Sequence, residues 1–185
     1  DVQTTLSALN DKLGHKIKLD FEVTRLEPLF KDENEYKAFL DKHSENNVKK
    51  GDFANYKGKL FLGIDSGSTT TKVAVIGEDG SLLYSFYSSN NGAPLKTAIK
   101  SIKEVYSLMP EGAKIVGSCS TGYGEALLKS ALLLDEGEVE TVAHYTAAAF
   151  FEPDVDCILD IGGQDMKCIK IKNNSVDKVQ LNEAC

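Results

Sequence analysis

Two short segments, 95 residues apart (160 minus 65), constrain this chain more than any other feature of its sequence. Asp65-Ser66-Gly67 lies between two strand-like runs, LFLGI (60–64) and KVAVIG (72–77). Asp160-Ile161-Gly162 ends the run CILDIG (157–162), just before MKCIKIK (166–172). Each turn is followed by a lysine opening the next strand, Lys72 and Lys167. A repeat of this kind is weighed before single motifs, because it implies a duplicated supersecondary unit. Two subdomains, each presenting an Asp-bearing hairpin, imply a cleft between halves, a usual place for ligands.

The segments between complete an α/β pattern. Glu78-Asp79-Gly80 signals a turn into SLLYSFY (81–87), so the first unit reads as a three-stranded antiparallel meander. Pro94 opens a helix whose apolar residues, Leu95 to Met109, recur at steps of three and one. KIVGSCS (114–120) is strand-like, and LFLGI reads as a buried strand. Residues 124–134 and 139–151 read as two further helices, and SVDKVQLN (175–182) closes a second run of three strands. The expected order is βββαβαα followed by βββ. The strands from Cys157 onward are expected to pack irregularly or to pair with another chain, because exposed edges invite pairing.

Residues 1–58 differ. The first 60 residues carry 11 acidic and 11 basic side chains, three of the fifteen glycines and no cysteine. Tyr36, Phe39 and Leu40 stand at helical spacing and predict one amphipathic helix over 33–44. This stretch reads as a solvated linker, or alternatively as a docking arm for a neighbouring domain. The boundaries read from the sequence are 1–58 for this connector, 59–152 for a first subdomain and 153–185 for the start of a second. A chain that opens on Asp and closes on Cys185 inside a motif is expected to be a fragment.

Bulk properties exclude some functions. A net charge of −7 argues against nucleic-acid binding, which needs surplus Lys and Arg. No apolar run approaches the roughly 18 residues of a membrane span, and the first residues are too polar for a signal peptide. The four cysteines, Cys119, Cys157, Cys168 and Cys185, show no CxxC and no disulfide framework, which favours a reducing cytoplasm. The first three, lying in strand patterns, read as small buried residues. His15, His43 and His144 are isolated from one another and from any cysteine, and read as surface or helix-packing residues, not metal ligands.

The turn from Asp65 to Lys72 has the chemistry of a phosphate site. Gly67 lets backbone approach an anion, and successive turn N–H groups can form an anion-binding nest. Hydroxyls from Ser66 through Ser68, Thr69, Thr70 and Thr71 can donate to phosphate oxygens, and Lys72 supplies a point charge. Asp65 repels phosphate directly, but it makes sense as a partner of Mg²⁺ held through water. The same composition also suits a plain polar hairpin. The second turn, Asp160-Ile161-Gly162-Gly163-Gln164-Asp165, strengthens the phosphate reading. Two such hairpins would clamp a triphosphate, with Asp65 and Asp160 sharing the metal's shell and Gln164 orienting an attacking water. Neither a Walker A loop nor a dinucleotide fingerprint occurs. Ser120-Thr121-Gly122-Tyr123-Gly124 would either line the phosphate cleft or cap a helix. Glu138 and Glu140 open a helix where carboxylates suit the dipole, and the sequence does not choose between them.

LGIDSGSTTTK (62–72) resembles the first phosphate motif of the acetate and sugar kinase/Hsp70/actin superfamily, and DIGGQD (160–165) resembles its second. GSTTTK, STGYG (120–124), DIGGQDMK (160–167) and the closing NEAC (182–185) together are similar to the BadF/BadG/BcrA/BcrD-type ATPases. That group includes activators of 2-hydroxyacyl-CoA dehydratases and ATPase subunits of benzoyl-CoA reductase. The resemblance spans about residues 60–185; residues 20–60 more loosely resemble the connector before a second activator-like domain of large fusion proteins. It implies a ribonuclease H-like, actin-like α/β fold, with Thr121, Gly122, Gly162 and Gly163 joining the first hairpin around ATP and Mg²⁺. It also implies a homodimer sharing one [4Fe–4S] cluster, with Cys185 as the first of two cysteine ligands in each subunit. The second ligand and the adenosine site would lie beyond residue 185, so the chain alone is expected to bind nucleotide weakly and not to assemble the cluster. The implied activity is ATP-coupled electron transfer to a CoA-thioester dehydratase or reductase. A small-molecule kinase and a non-catalytic nucleotide switch of the same fold are the alternatives.

Overall fold

The computed structural model describes residues 2–14, 26–45, 47–162 and 165–182. The chain divides into two units, Asp1–Asn47 and Val48–Cys185.

In the first unit, helix α1 spans Val2–Gly14 and α2 spans Glu33–Ser44. The spacing predicted α2, and its ends explain its limits. The Asp32 carboxylate accepts from the backbone N–H groups of Asn34 and Glu35, Glu33 and Glu35 occupy the first turn, and Lys42 and His43 the last. Capping and dipole pairing of this kind stabilise a helix by roughly 1 kcal/mol per favourable site. No residue of α2 is buried; Phe30, Tyr36, Phe39 and His43 instead form a small ring cluster, with centroids 4.3–5.2 Å apart. Helix α1 is an addition to the single helix read from the sequence.

In the second unit the first meander forms as the turn signals predict: β1 (Gly58–Ser66), β2 (Thr70–Gly77) and β3 (Leu82–Ser89). Helix α3 (Pro94–Leu108), with Pro94 at its first position, then carries the chain to β4 (Ala113–Thr121), which pairs parallel to β1. A parallel partner requires such a crossover, whereas the antiparallel neighbours need only turns. Helix α4 (Glu125–Leu132) and the two-residue β5 (Glu136–Gly137) complete a sheet ordered β3-β2-β1-β4-β5. Residues 49–51 extend its edge through backbone bonds to Leu82.

The core lies on one face of this sheet. Leu60, Leu62 and Ile64 of β1 and Val73 and Val75 of β2 are buried with Ala98 and Val105 of α3 and Leu128 of α4. Each large apolar side chain so buried is worth roughly 1.5–3 kcal/mol. The expectation that LFLGI is a wholly buried strand is corrected here. β1 alternates, and Phe61 remains 40% exposed on the opposite face. The period-2 pleat places Phe61 away from α3 and α4.

Helix α5 (Glu140–Phe151) leads to β6 (Cys157–Ile161), β7 (Met166–Lys172) and β8 (Ser175–Asn182). These strands pair with one another in the order β6-β7-β8; β6–β7 keeps one register, whereas the β7–β8 ladder shifts register between Lys170 and Ile171. Ile169 of the central strand is fully buried, which gives the small sheet its own anchor. Among the described residues no helix is long and apolar enough to cross a membrane.

Candidate functional site

The two Asp-bearing hairpins have the same construction. In the first, Asp65 of β1 stands opposite Lys72 of β2, and the Gly67 N–H donates to the Thr70 carbonyl at 2.9 Å. In the second, Asp160 of β6 stands opposite Lys167 of β7, and the Gly162 N–H donates to the Asp165 carbonyl at 2.9 Å. Every one of these positions is displaced by the same 95 residues.

In the first hairpin the Lys72 ammonium lies 2.8 Å from Asp65 Oδ2. Ser66 is fully buried, Ser68 and Thr69 are exposed at the tip, and Gly67 and Thr70 are half-buried between them. Asn90 holds the turn in shape. Its side-chain amide donates to the Gly67 carbonyl at 2.8 Å, its backbone N–H donates to the Thr69 carbonyl at 2.8 Å, and Thr71 Oγ1 bonds to its Oδ1. Asn90 was not read from the sequence, because a bond across 23 positions has no local signal; the Asn90-Asn91-Gly92 run looks like an ordinary turn.

The STGYG segment packs directly on this hairpin. Thr121 pairs with Asp65 across the parallel β1–β4 ladder, and the Gly124 N–H donates to the Ser66 carbonyl at 2.8 Å. Gly122 has φ +84°, and a Cβ there would lie 2.7 Å from Asp65 Oδ1 and 2.8 Å from the Ser66 carbonyl oxygen. Between the two readings left open, no side chain caps α4, whose N-cap is Gly124. The segment instead closes over Asp65 and Ser66. Beneath it, Asp65 Oδ1 and Ser66 Oγ are buried without a hydrogen-bond partner among the described residues. An orphaned buried oxygen costs roughly 1–3 kcal/mol, so these two atoms suit a bound water or hydrated cation. That fits a nucleotide phosphate with Mg²⁺ held through water.

In the second hairpin one ammonium gathers three carboxylates. Lys167 Nζ lies 2.7 Å from Glu140 Oε2, 3.2 Å from Asp165 Oδ2 and 3.6 Å from Asp160 Oδ2. Its side chain is only 10% exposed. Burial works against its charge, but the hydrogen bonds to Glu140 and then Asp165 outweigh that and push Lys167 up to about 12. Three carboxylates against one ammonium leave the cluster net negative. His144 Nδ1 lies 3.0 Å from Asp160 Oδ2, so His144 is more than the packing residue read from the sequence. Glu140, His144 and Asp160 could together hold a metal ion, although Lys167 already supplies a cation among them.

Glu138 and Glu140 turn to different partners. The Glu138 carboxylate accepts the neighbouring Val139 N–H at 2.7 Å, a local bond, whereas Glu140 reaches Lys167. The Glu138 carbonyl accepts from Thr121 Oγ1 at 2.8 Å. A chain of contacts therefore runs from Asp65 through Thr121 and the start of α5 to Lys167 and Asp160.

Gly163, Gln164 and Cys185 lie outside the described residues, as does His15. Cys157 is exposed on the outward face of β6, a correction to its reading as buried, while Cys119 and Cys168 are half-buried. The strand alternation that turns Ile158 and Asp160 inward turns Cys157 outward.

Comparison with known proteins places this geometry. The model of the BadF/BadG/BcrA/BcrD ATPase family matches residues 62–185. The (R)-2-hydroxyglutaryl-CoA dehydratase activating ATPase of Acidaminococcus fermentans is 31% identical over 125 residues, covering 67% of this chain and 47% of that protein. The crystal structure of component A of the dehydratase from the same organism superposes with a TM-score of 0.59 at 29% identity, over 69% of this chain and 49% of that one. The activator of 2-hydroxyisocaproyl-CoA dehydratase from Clostridium difficile, solved with bound ADPNP, superposes at 0.57 with 25% identity, over 68% and 46%. The chain spans about half the length of these relatives. Its fold is that of the actin-like ATPases, and the chain belongs to the BadF/BadG/BcrA/BcrD ATPase family.

Proposed function

We propose that the protein works as an ATP-hydrolysing activator of a CoA-thioester dehydratase or related reductase. The observation that carries this reading is the shared register of the two hairpins, Asp65 opposite Lys72 and Asp160 opposite Lys167, linked through Thr121 and Glu140. In this reading Ser66, Gly67, Ser68, Thr69, Thr70 and Lys72 receive phosphate oxygens from one side, and Gly162 and Gly163 from the other. Thr121 and Gly122 hold Asp65 in place. Asp65 and Asp160 bind water molecules of a Mg²⁺ ion, whose charge offsets the net negative second hairpin. Gln164 orients the attacking water.

Glu140 and Lys167 give the site a means of responding to nucleotide. A phosphate entering beside Lys167 competes with Glu140 and Asp165 for its ammonium. Any weakening of the Lys167–Glu140 pair loosens α5 from the second sheet, which is the motion an ATP-driven activator needs. Cys185 belongs, in this reading, to a [4Fe–4S] cluster shared across a homodimer, and such a cluster when bound supplies low-potential one-electron chemistry. The downstream partner is a 2-hydroxyacyl-CoA dehydratase or a related reductase component, and the setting is cytoplasmic. Residues 59–152 then act as the first subdomain and 153–185 as the opening of the second.

The experiment uses a protein extended past Cys185 to the length of its relatives and purified without oxygen. Iron and sulfide are measured beside Cys185→Ser. About four irons per dimer, lost in the variant, is the expected result for a single shared cluster. Intact Mg-ATP binding without iron would overturn the electron-donating role and leave the kinase or switch.

A further inference from the structure

The strands of the first hairpin carry no cysteine of their own, but those of the second carry two that meet. Cys157 on β6 stands opposite Lys170, and Cys168 on β7 stands opposite Leu159. Antiparallel partners share a face, and so do residues two apart on one strand. Cys157 and Cys168 are therefore diagonal neighbours on the same face, and their sulfurs lie 3.9 Å apart. Cys157 is exposed and Cys168 half-buried, so a small thiol reagent can reach the pair. Cys119 offers a contrast. Its S–H points to the Ser120 carbonyl at 3.6 Å, and burial, with Glu136, Glu138 and Glu125 nearby, pushes its thiol up.

We propose that Cys157 and Cys168 form a modification site, a paired thiol that a low-molecular-weight disulfide converts into an intramolecular disulfide across β6 and β7. The chemistry balances as two exchange steps. The Cys157 thiolate attacks one sulfur of oxidised glutathione and displaces a glutathione thiolate. Cys168 then gives its proton to solvent and attacks the Cys157 sulfur, displacing the second glutathione. Two cysteine sulfurs are oxidised, and the two sulfurs of the reagent are reduced. Bond formation requires the sulfurs to close from 3.9 Å to the about 2.05 Å of a bonded pair. The bond joins the strands on either side of the Gly162–Asp165 turn, so it ties together the second hairpin below its tip. The hydrogen bond that Cys157 shares with Cys168 pushes the Cys157 thiol up, with burial adding to it. Closure is thus driven by proximity rather than by an activated thiolate, and mildly alkaline solution speeds it.

The test treats the 185-residue chain with oxidised glutathione and maps its peptides by mass. The expected result is a Cys157–Cys168 cross-linked peptide, with both of these cysteines lost as free thiols. In Cys157→Ser, Cys168 instead carries one glutathione. Separate glutathione adducts on both cysteines of the unmutated chain would overturn the proposal. So would persistence of both as free thiols, or linkage of either to another cysteine. The unmutated chain decides the matter even if the variant fails to fold.

Discussion

Replacing Gly122 with Ala tests whether the turn after β4 really closes over Asp65. Two costs apply there and can be separated. Gly122 has φ +84°, a backbone conformation that costs an L-residue on the order of 1 kcal/mol. The added methyl would also lie 2.7 Å from Asp65 Oδ1, 2.8 Å from the Ser66 carbonyl oxygen and 2.9 Å from its carbon. Two of those three atoms are backbone of a strand paired on both sides and cannot swing away, so overpacking adds roughly 1–3 kcal/mol. Gly92 is the control. Its φ is +73°, and nothing lies within 4 Å of the position its methyl would take. Gly92→Ala therefore bears the conformational cost alone, and the difference between the variants, about 1–3 kcal/mol, measures the contact. Urea unfolding followed through the near-ultraviolet signal of the tyrosines gives both numbers. With a slope of about 2 kcal/mol per molar, a gap of about 2 kcal/mol separates the two midpoints by about 1 M. Coincident midpoints would refute the close approach.

Other consequences concern the residues that brace the hairpins. Lys167→Met leaves Glu140, Asp160 and Asp165 without their shared cation and should destabilise the β6–β8 sheet by about 1–3 kcal/mol, measured by hydrogen exchange at Ile169. Because the folded-state value of Lys167 is raised to about 12, above its ordinary 10.5, the stabilisation is complete below about pH 10.5 and lost as pH rises through 12. The gap between wild type and variant should therefore close over that window, and a gap that stays constant would count against the ion cluster. Asn90→Ala removes buried bonds to Gly67 and Thr71 and should cost about 1–3 kcal/mol in urea unfolding, whereas an effect below about 0.5 kcal/mol would show that the turn holds itself. Glu140→Gln should weaken protection of Ile169 while Glu138→Gln leaves it unchanged; equal effects would contradict the assignment of Glu140 to Lys167.

Most of the framework could be read from local chemistry. The apolar run LFLGI, the alternation of KVAVIG and the turn formers after it mark the strands from Leu60 to Tyr87, and Pro94 marks the start of α3 because a missing N–H is harmless there. The Asp-bearing turns stood out because the same residue types recur at one offset. What escaped reading depends on distant pairing or on marginal driving force. Val2, Leu6 and Leu9 of α1 have helical spacing but remain 75%, 60% and 51% exposed, so little burial distinguishes that helix from a polar segment. Two residues of β5 are too few to show a period. The roles of Asn90 and His144, and the meeting of Cys157 with Cys168, follow from strand register and helix placement, which no single segment encodes. Glu138 and Glu140 look alike in sequence because only the path of the chain entering α5 decides which one faces Lys167.

The central claim is that two Asp-bearing hairpins together hold a magnesium-bound nucleotide. Its most direct test is calorimetric titration of the 185-residue chain with ADPNP, with and without Mg²⁺, beside Asp65→Asn and Asp160→Asn. The account predicts weak but Mg²⁺-dependent binding that either substitution weakens at least about tenfold, a loss of about 1.4 kcal/mol. Binding indifferent to Mg²⁺, or unchanged by both substitutions, would contradict it.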